Sequence, residues 1–439
     1  MGENMSFLGI DVGTTSISAA VCDDAGTQLA SETLTHEAGL PGEPFADLQD
    51  ADKLLRLALE LYDRFAAKYT LSGVGLTGQQ HGIVYLDRDG NAVSPLHTWR
   101  DRRAAQPYEG STYADALSKQ TGYAVFPGYG LATHFYNLRH GLVPADAEAF
   151  CTIHDYVAMK LARRTSPVTE PTDAASFGVY DLHSGAFDVP ALQKAGIDPA
   201  ILPEVQTACV IGSTKDGVPV LTAIGDNQAS FLGATAGDPD AALLNIGTGS
   251  QISLRTDKLI RAHGLEARPF PLGGYLLAGS ALTGGKAYEL LKDFFEQTAL
   301  ALTGSRGSGY DAMAKLLQMD GETDLVFTPL FDGTREEPEK TASVENLRRD
   351  NFTPADLTKA LVAGMVTELH GYYDNALKAG TAAPRALYGS GNGLRRNPAL
   401  QKEAEKRFGM SLQLPDVREE AAFGASLLAR TVLKEVSHV

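Results

Sequence analysis

Cysteine is scarce in this sequence: Cys22, Cys151 and Cys209 are the only three in 439 residues. They are odd in number, widely spaced and form no CxxC, which excludes a disulfide framework or structural zinc site and favours a reducing compartment. Tryptophan occurs once, at Trp99. No run of eighteen apolar residues exists, so no transmembrane helix is expected. Met1 to Ser6 is short, polar and carries Glu3, unlike the basic start of a signal peptide. Positive charge is also in deficit, with 38 Lys+Arg against 54 Asp+Glu and a net charge of −16 at pH 7. That balance argues against a nucleic-acid or anionic-membrane surface. It leaves room for one small anionic ligand, held by backbone N–H groups and a metal. The expectation is a soluble, cytoplasmic protein with no nucleic-acid or membrane partner.

Two standard nucleotide signatures are missing as well. The nearest approach to a Walker loop, Gly279-Ser280-Ala281-Leu282-Thr283-Gly284-Gly285-Lys286-Ala287, fails in spacing and in its last residue. No GxGxxG follows a first strand, so the dinucleotide fingerprint is absent too.

What is present is an ordinary globular composition: 44% hydrophobic, 21% charged, 45 Gly and 21 Pro. A chain of this length is long enough for two or more domains, each with its own core. The opening reads as strands at Phe7–Ile10, Ile17–Cys22 and Thr27–Thr35, joined by the turns Val12-Gly13-Thr14-Thr15 and Asp23-Asp24-Ala25-Gly26. An amphipathic helix follows, with Leu54, Leu55, Ala58, Leu61, Tyr62 and Phe65 on one stripe. Gly73–Thr77 is then a buried strand running into Gly78-Gln79-Gln80-His81-Gly82.

The second half repeats the plan. Ala242–Ile246 and Gln251–Leu254 read as strands around the turn Gly247-Thr248-Gly249-Ser250, so that Leu244-Asn245-Ile246-Gly247-Thr248 resembles Ile10-Asp11-Val12-Gly13-Thr14. A long helix carries Leu361, Val362, Met365, Val366, Leu369, Tyr373 and Leu377. The strand Ala386-Leu387-Tyr388 ends in Gly389-Ser390-Gly391-Asn392-Gly393. A polar helix from Pro398 to near Gly409, a strand around Ser411–Leu414 and a helix from Glu419 complete the chain. One period of about half the length predicts two similar α/β domains, 1–232 and 233–439, with a cleft between them.

Both Gly/Thr turns suit a polyphosphate. Glycine admits close backbone approach, successive N–H groups form an anion-binding concavity, and hydroxyls add donors without repelling the ligand. Asp11, at the mouth of the first turn, is a candidate Mg²⁺ ligand, directly or through water. The plainer alternative is that these are ordinary hairpin turns.

Over nearly its whole length the chain resembles the FGGY carbohydrate kinases, within the sugar kinase/Hsp70/actin group. The resemblance rests on the two Gly/Thr hairpins and the late glycine-rich loop. It also rests on Gly78-Gln79-Gln80-His81-Gly82, Trp99-Arg100-Asp101-Arg102, His154-Asp155-Tyr156, Gly225-Asp226-Asn227-Gln228-Ala229, Gly333-Thr334-Arg335 and Glu420-Ala421-Ala422-Phe423-Gly424-Ala425. Ala174–Gly178, Gly225–Ser230 and Gly389–Leu400 look closest to the sedoheptulokinase branch, with xylulokinases next.

The resemblance implies two ribonuclease H-like (actin-like ATPase) domains, each a mixed sheet flanked by helices. The first would bind sugar and the second nucleotide, closing during an ATP- and Mg²⁺-dependent transfer to a ketose hydroxyl; a homodimer is the family expectation. It implies Asp226 as the base, although that residue could equally cap a helix. Gln80, His81, Trp99, Asp101 and Asn227 become sugar ligands, Trp99 having the alternative of a core or hinge position. Thr14, Thr15, Gly247 and Thr248 would hold phosphates, and Gly389, Ser390, Gly391 and Asn392 would face adenosine. Asp155 reads as a structural helix cap. Gln80 stands where xylulokinases usually carry Met, and Leu131-Ala132-Thr133-His134 lacks a lysine many relatives have; both departures bear on the sugar. A conformational ATPase and a sugar sensor without catalysis are the competing readings. Gly-Gln-x-His-Gly speaks against the first, and retention of Asp11, Thr14 and Asp226 against the second.

Overall fold

The computed structural model describes residues 5–437, so the reading of the first four residues lies outside it. The chain divides into two compact units. The first comprises Met1–Asp238, Arg268–Gly274 and Val417–Val439, and the second Pro239–Ala267 and Tyr275–Asp416. This differs from the linear split at 232/233, because the last stretch of chain returns to the first unit.

In the first unit, β1 (Ser6–Val12), β2 (Ser16–Asp23) and β3 (Gln28–Thr35) form an antiparallel meander. Helix α1 (Ala51–Ala66) begins at Asp50, whose side chain accepts from the Lys53 N–H, and buries the predicted stripe at Leu54, Ala58, Leu61, Tyr62 and Phe65. Each of the leucine and phenylalanine side chains contributes roughly 1.5–3 kcal/mol for full burial. The chain then returns as β4 (Leu71–Gly78), parallel to β1 with Asp11 opposite Thr77. Helices α2 (Ile153–Leu161) and α3 (Pro171–Phe177) follow. The sheet is completed by β5 (Val210–Ser213), β6 (Pro219–Leu221) and β7 (Ile224–Gly225), the last two parallel to β4. Helix α4 (Asp226–Thr235) starts directly from β7.

The second unit repeats this order. There β8 (Ala241–Ile246) pairs antiparallel with β9 (Ser250–Thr256), and β9 antiparallel with β10 (Tyr275–Ala281). Helices α5 (Gly284–Thr303) and α6 (Pro354–Lys378) intervene before β11 (Ala386–Ser390), which lies parallel to β8. Next, α7 (Pro398–Phe408) ends at Gly409 in the left-handed conformation, φ 66°. Strand β12 (Leu412–Gln413) adds in parallel to β11. The apolar face of α6 packs into the core of this sheet through Leu361, Val362, Met365, Val366 and Leu369.

Helix α8 (Glu420–Ser437) lies on the first unit's sheet, not the second's. Sequence-distant small residues make room for it. A Cβ on Gly9 of β1 would overlap the Ala422 carbonyl oxygen, and one on Gly75 of β4 the Ala425 carbonyl oxygen. The Glu420–Ala425 stretch is therefore a helix–sheet packing surface. Among the described residues, no helix is long and apolar enough to cross a membrane.

Candidate active site

The parallel strands β1, β4 and β7 end side by side, and open α/β sheets present ligand sites at such C-terminal ends. Three predicted residues meet there. Asp226 is the first residue of α4; Gly225 takes the cap position and makes no side-chain bond, so Asp226 does not cap the helix. The Asn227 side-chain amide donates to Asp226 Oδ1 at 2.9 Å and to Gln80 Oε1 at 3.4 Å. Gln80, from the loop after β4, donates to the Thr172 carbonyl at 3.1 Å and to Asp173 Oδ1 at 3.4 Å.

The electrostatics of this corner are set by burial among acids. Burial pushes the Asp226 carboxyl above the ordinary carboxylate range, while His154 and then Arg268 pull it back. Asp11 is pushed up to about 7, by burial first and then by Asp226, with His154 acting against them and Glu419 adding to them. Its Oδ1 is buried and accepts no hydrogen bond. Such an unpartnered, hard carboxylate oxygen fits a Mg²⁺ ion that keeps most of its waters. Among the described residues, no group of three or more His, Cys, Asp or Glu forms a preformed metal cage.

His81 has φ 71°, uncommon for a residue with a Cβ. Its Nδ1 lies 2.8 Å from the Ser176 carbonyl, so that nitrogen carries the proton, and its ring stacks on Tyr129 at 4.4 Å between centroids. The turn after β1 is held by amides. Gln49 donates to the Thr14 carbonyl at 2.8 Å and Gln79 to Gln49 Oε1 at 3.0 Å. Trp99 is not a core residue: it is 44% exposed, and its indole N–H donates to Thr14 Oγ1 at 3.0 Å. The Thr14 hydroxyl is thus bound to a candidate sugar residue of its own unit. Thr15 is exposed, and its carbonyl accepts from the His36 N–H.

Asp101 departs from the expectation. It is wholly buried, and Arg103 grips both carboxylate oxygens, Nε to Oδ1 at 2.8 Å and Nη2 to Oδ2 at 2.9 Å. A carboxylate in a bidentate buried pair braces the loop and presents no oxygen to a ligand. Asp155 does not cap its helix either; Thr152 does, accepting from the Asp155 N–H.

In the second unit, Gly247 and the exposed Thr248 and Gly249 form the turn after β8. Gly284 and Gly285, the residues of the failed Walker match, are what let α5 start against it. A Cβ on Gly285 would overlap the Gly247 carbonyl oxygen, which accepts from the Gly285 N–H at 3.1 Å; the Thr248 carbonyl accepts from Lys286 at 3.0 Å. Asn245, the counterpart of Asp11, donates to Ser390 Oγ at 2.8 Å. Ser390 is fully buried, so it fastens β11 to β8. Gly391, at φ 85°, passes so close to β8 that a Cβ would lie 2.5 Å from the Ile246 carbonyl oxygen, and Asn392 is exposed beside it.

Sequence reasoning missed Gln49, Gln79, Asp173, Arg268 and the Gly284-Gly285 pair. The repeat itself was the available signal for the glycines, since they follow the third strand of the second copy.

Two sheets of the same strand order, each built on an antiparallel hairpin followed by parallel strands, define the actin-like ATPase fold. Residues 6–233 match the N-terminal domain of the FGGY family of carbohydrate kinases, and the chain belongs to that family of phosphotransferases. Sedoheptulokinase of Mus musculus is 28% identical over 475 aligned residues, covering 96% of this chain and 96% of that protein. Xylulose kinase of Streptomyces coelicolor is 29% identical, covering 98% and 89%. The crystal structure of a "xyloylose kinase" from Brucella ovis superimposes with a TM-score of 0.82 at 21% identity, over 98% of this chain and 90% of that one, a likeness of fold.

Proposed function

We propose that the chain is an ATP-dependent ketose kinase whose acceptor is sedoheptulose. The placement of Asp226 carries the reading: a half-buried carboxylate at the strand ends, steadied by the Asn227 amide, which also reaches Gln80. In the reaction the sugar oxygen forms a bond to the γ-phosphorus and the bond from that phosphorus to the β,γ-bridging oxygen breaks. The hydroxyl proton passes to Asp226, and ADP leaves with the bond electrons. The first unit holds the sugar through Gln80, His81, Trp99 and Asn227. The second holds ATP through Gly247, Thr248, Gly391 and Asn392, whereas Gly389 is buried within β11 against Leu394, Leu412 and Leu414. Asp11 would hold Mg²⁺, which neutralises phosphate charge when bound.

Sedoheptulose is preferred over xylulose because the sedoheptulokinase likeness covers 96% of both proteins, whereas the likeness to the xylulose kinase covers 98% of this chain and 89% of that relative. Xylulose is the second candidate. A coupled ADP-release assay over sedoheptulose, xylulose, ribulose and glycerol tests the reading, with sedoheptulose expected to give the highest kcat/KM. Turnover with none of them would end it. Asp226→Ala is expected to lower kcat by about 10²–10⁴-fold with ATP binding kept; near-normal turnover would remove Asp226 from the role.

A further inference from the structure

Beneath the site lies a fully buried ion pair that the reaction as described does not use. His154, from the first turn of α2, places Nε2 at 2.9 Å from Asp173 Oδ2, and neither side chain has any exposed surface. Burial pulls the imidazole toward neutrality, but Asp173, Asp155 and Asp226 outweigh it and hold the group up to about 9. A buried ion pair is a poor stability device, because apolar residues of similar volume often serve as well or better. The space for this one is nevertheless reserved. A Cβ on Gly78, at the end of β4, would lie 2.8 Å from His154 Nδ1.

The pair is wired to the candidate base. From His154 the contacts run to Asp173, from Asp173 Oδ1 to Gln80, from Gln80 Oε1 to Asn227, and from Asn227 to Asp226. A second tie leaves the same helix start, where Thr172 Oγ1 accepts from the Gly225 N–H at 3.0 Å, fixing the residue before Asp226. We propose that His154 and Asp173 are positioning residues for phosphoryl transfer, fixing Gln80 and Asn227 so that the Asp226 carboxylate meets the acceptor hydroxyl in one orientation. The proposal rests on Asp226 being the base. It assigns the His-Asp-Tyr stretch a part in catalysis beyond starting a helix.

A misplaced reacting group costs rate more than ground-state affinity. His154→Gln and Asp173→Asn are therefore expected to lower kcat about 10- to 100-fold with the KM for ATP within about threefold of the parent, the KM for sugar rising with the loss because Gln80 and Asn227 also bind it. On an Asp226→Ala background, His154→Gln should bring little further loss, because the group it positions is gone. A folded variant with unchanged kcat, or the same fold-loss on both backgrounds, would overturn the proposal. Near-normal turnover in Asp226→Ala alone would instead remove the base assignment, and the proposal with it. Should His154→Gln not fold, Asp173→Asn keeps shape and volume.

Discussion

Trp99 and Thr14, 85 residues apart, are joined by an indole N–H to hydroxyl hydrogen bond of 3.0 Å. The bond links the turn of the first hairpin to the Trp-Arg-Asp-Arg stretch. The Arg100 guanidinium lies over the same indole at 5.0 Å, so the ring is braced on one side and 44% exposed. As the sole tryptophan it is a built-in reporter. Adding the accepted ketose without ATP is expected to change its emission. Trp99→Phe should raise the KM for sugar about tenfold while shifting stability by under about 1 kcal/mol, because an exposed ring contributes little to the core. Sugar-independent emission in the parent protein would count against this placement.

The turn of the second unit offers a separate handle on nucleotide. Gly285→Ala would drive a methyl into the Gly247 carbonyl oxygen and displace Gly247–Gly249. The KM for ATP is expected to rise about tenfold or more, from loss of closely spaced donors, with the KM for sugar unchanged. Equal effects on both constants in steady-state kinetics would contradict it.

Helix α8 gives a stability prediction. Gly9→Ala places a Cβ where the Ala422 carbonyl oxygen lies, so helix and sheet must separate along a buried seam. Overpacking of this kind costs roughly 1–3 kcal/mol and sometimes more. Denaturant unfolding should show a clear loss of midpoint for Gly9→Ala and none for Gly39→Ala, where a Cβ meets nothing within 4 Å.

A pH dependence follows from Glu170. Burial pushes its carboxyl up to about 8, although it accepts the Thr172 N–H at 2.7 Å at the start of α3. Between about 4 and 8 the folded chain keeps a proton that the unfolded chain releases. The contribution of this group to stability is therefore present at low pH and lost as pH rises through that window. Glu170→Gln, which retains an acceptor and carries no charge, should be more stable than the parent at pH 8 and similar at pH 4 to 5. Parallel stability curves for the two across that range would refute this.

Much of the scaffold was legible because its determinants are local. Short apolar runs broken by Gly/Thr turns gave both hairpins, the 3.6-residue stripes gave α1 and α6, and the likeness of Ile10–Thr14 to Leu244–Thr248 gave the repeat. The roles proposed for Asp226, Gln80 and Asn227 came from family resemblance, and the structure brings these three residues together. Asp101 was misjudged because its partner, Arg103, is only two residues away, and spacing cannot say that a carboxylate turns back along its own loop. The exposure of Trp99 was equally hidden: whether a large ring is covered depends on chain far from it.

The sequence by itself determined the doubled α/β plan, since hydrophobic periodicity and turn chemistry act within a few residues. Only the tertiary structure decided that residues 417–439 rejoin the first unit, that His154 and Asp173 form a buried pair, and that Gly284 and Gly285 support the second turn. Those outcomes depend on close packing and on charges removed from water. Such interactions take their strength from distance and burial in three dimensions, and separation along the chain carries no record of either.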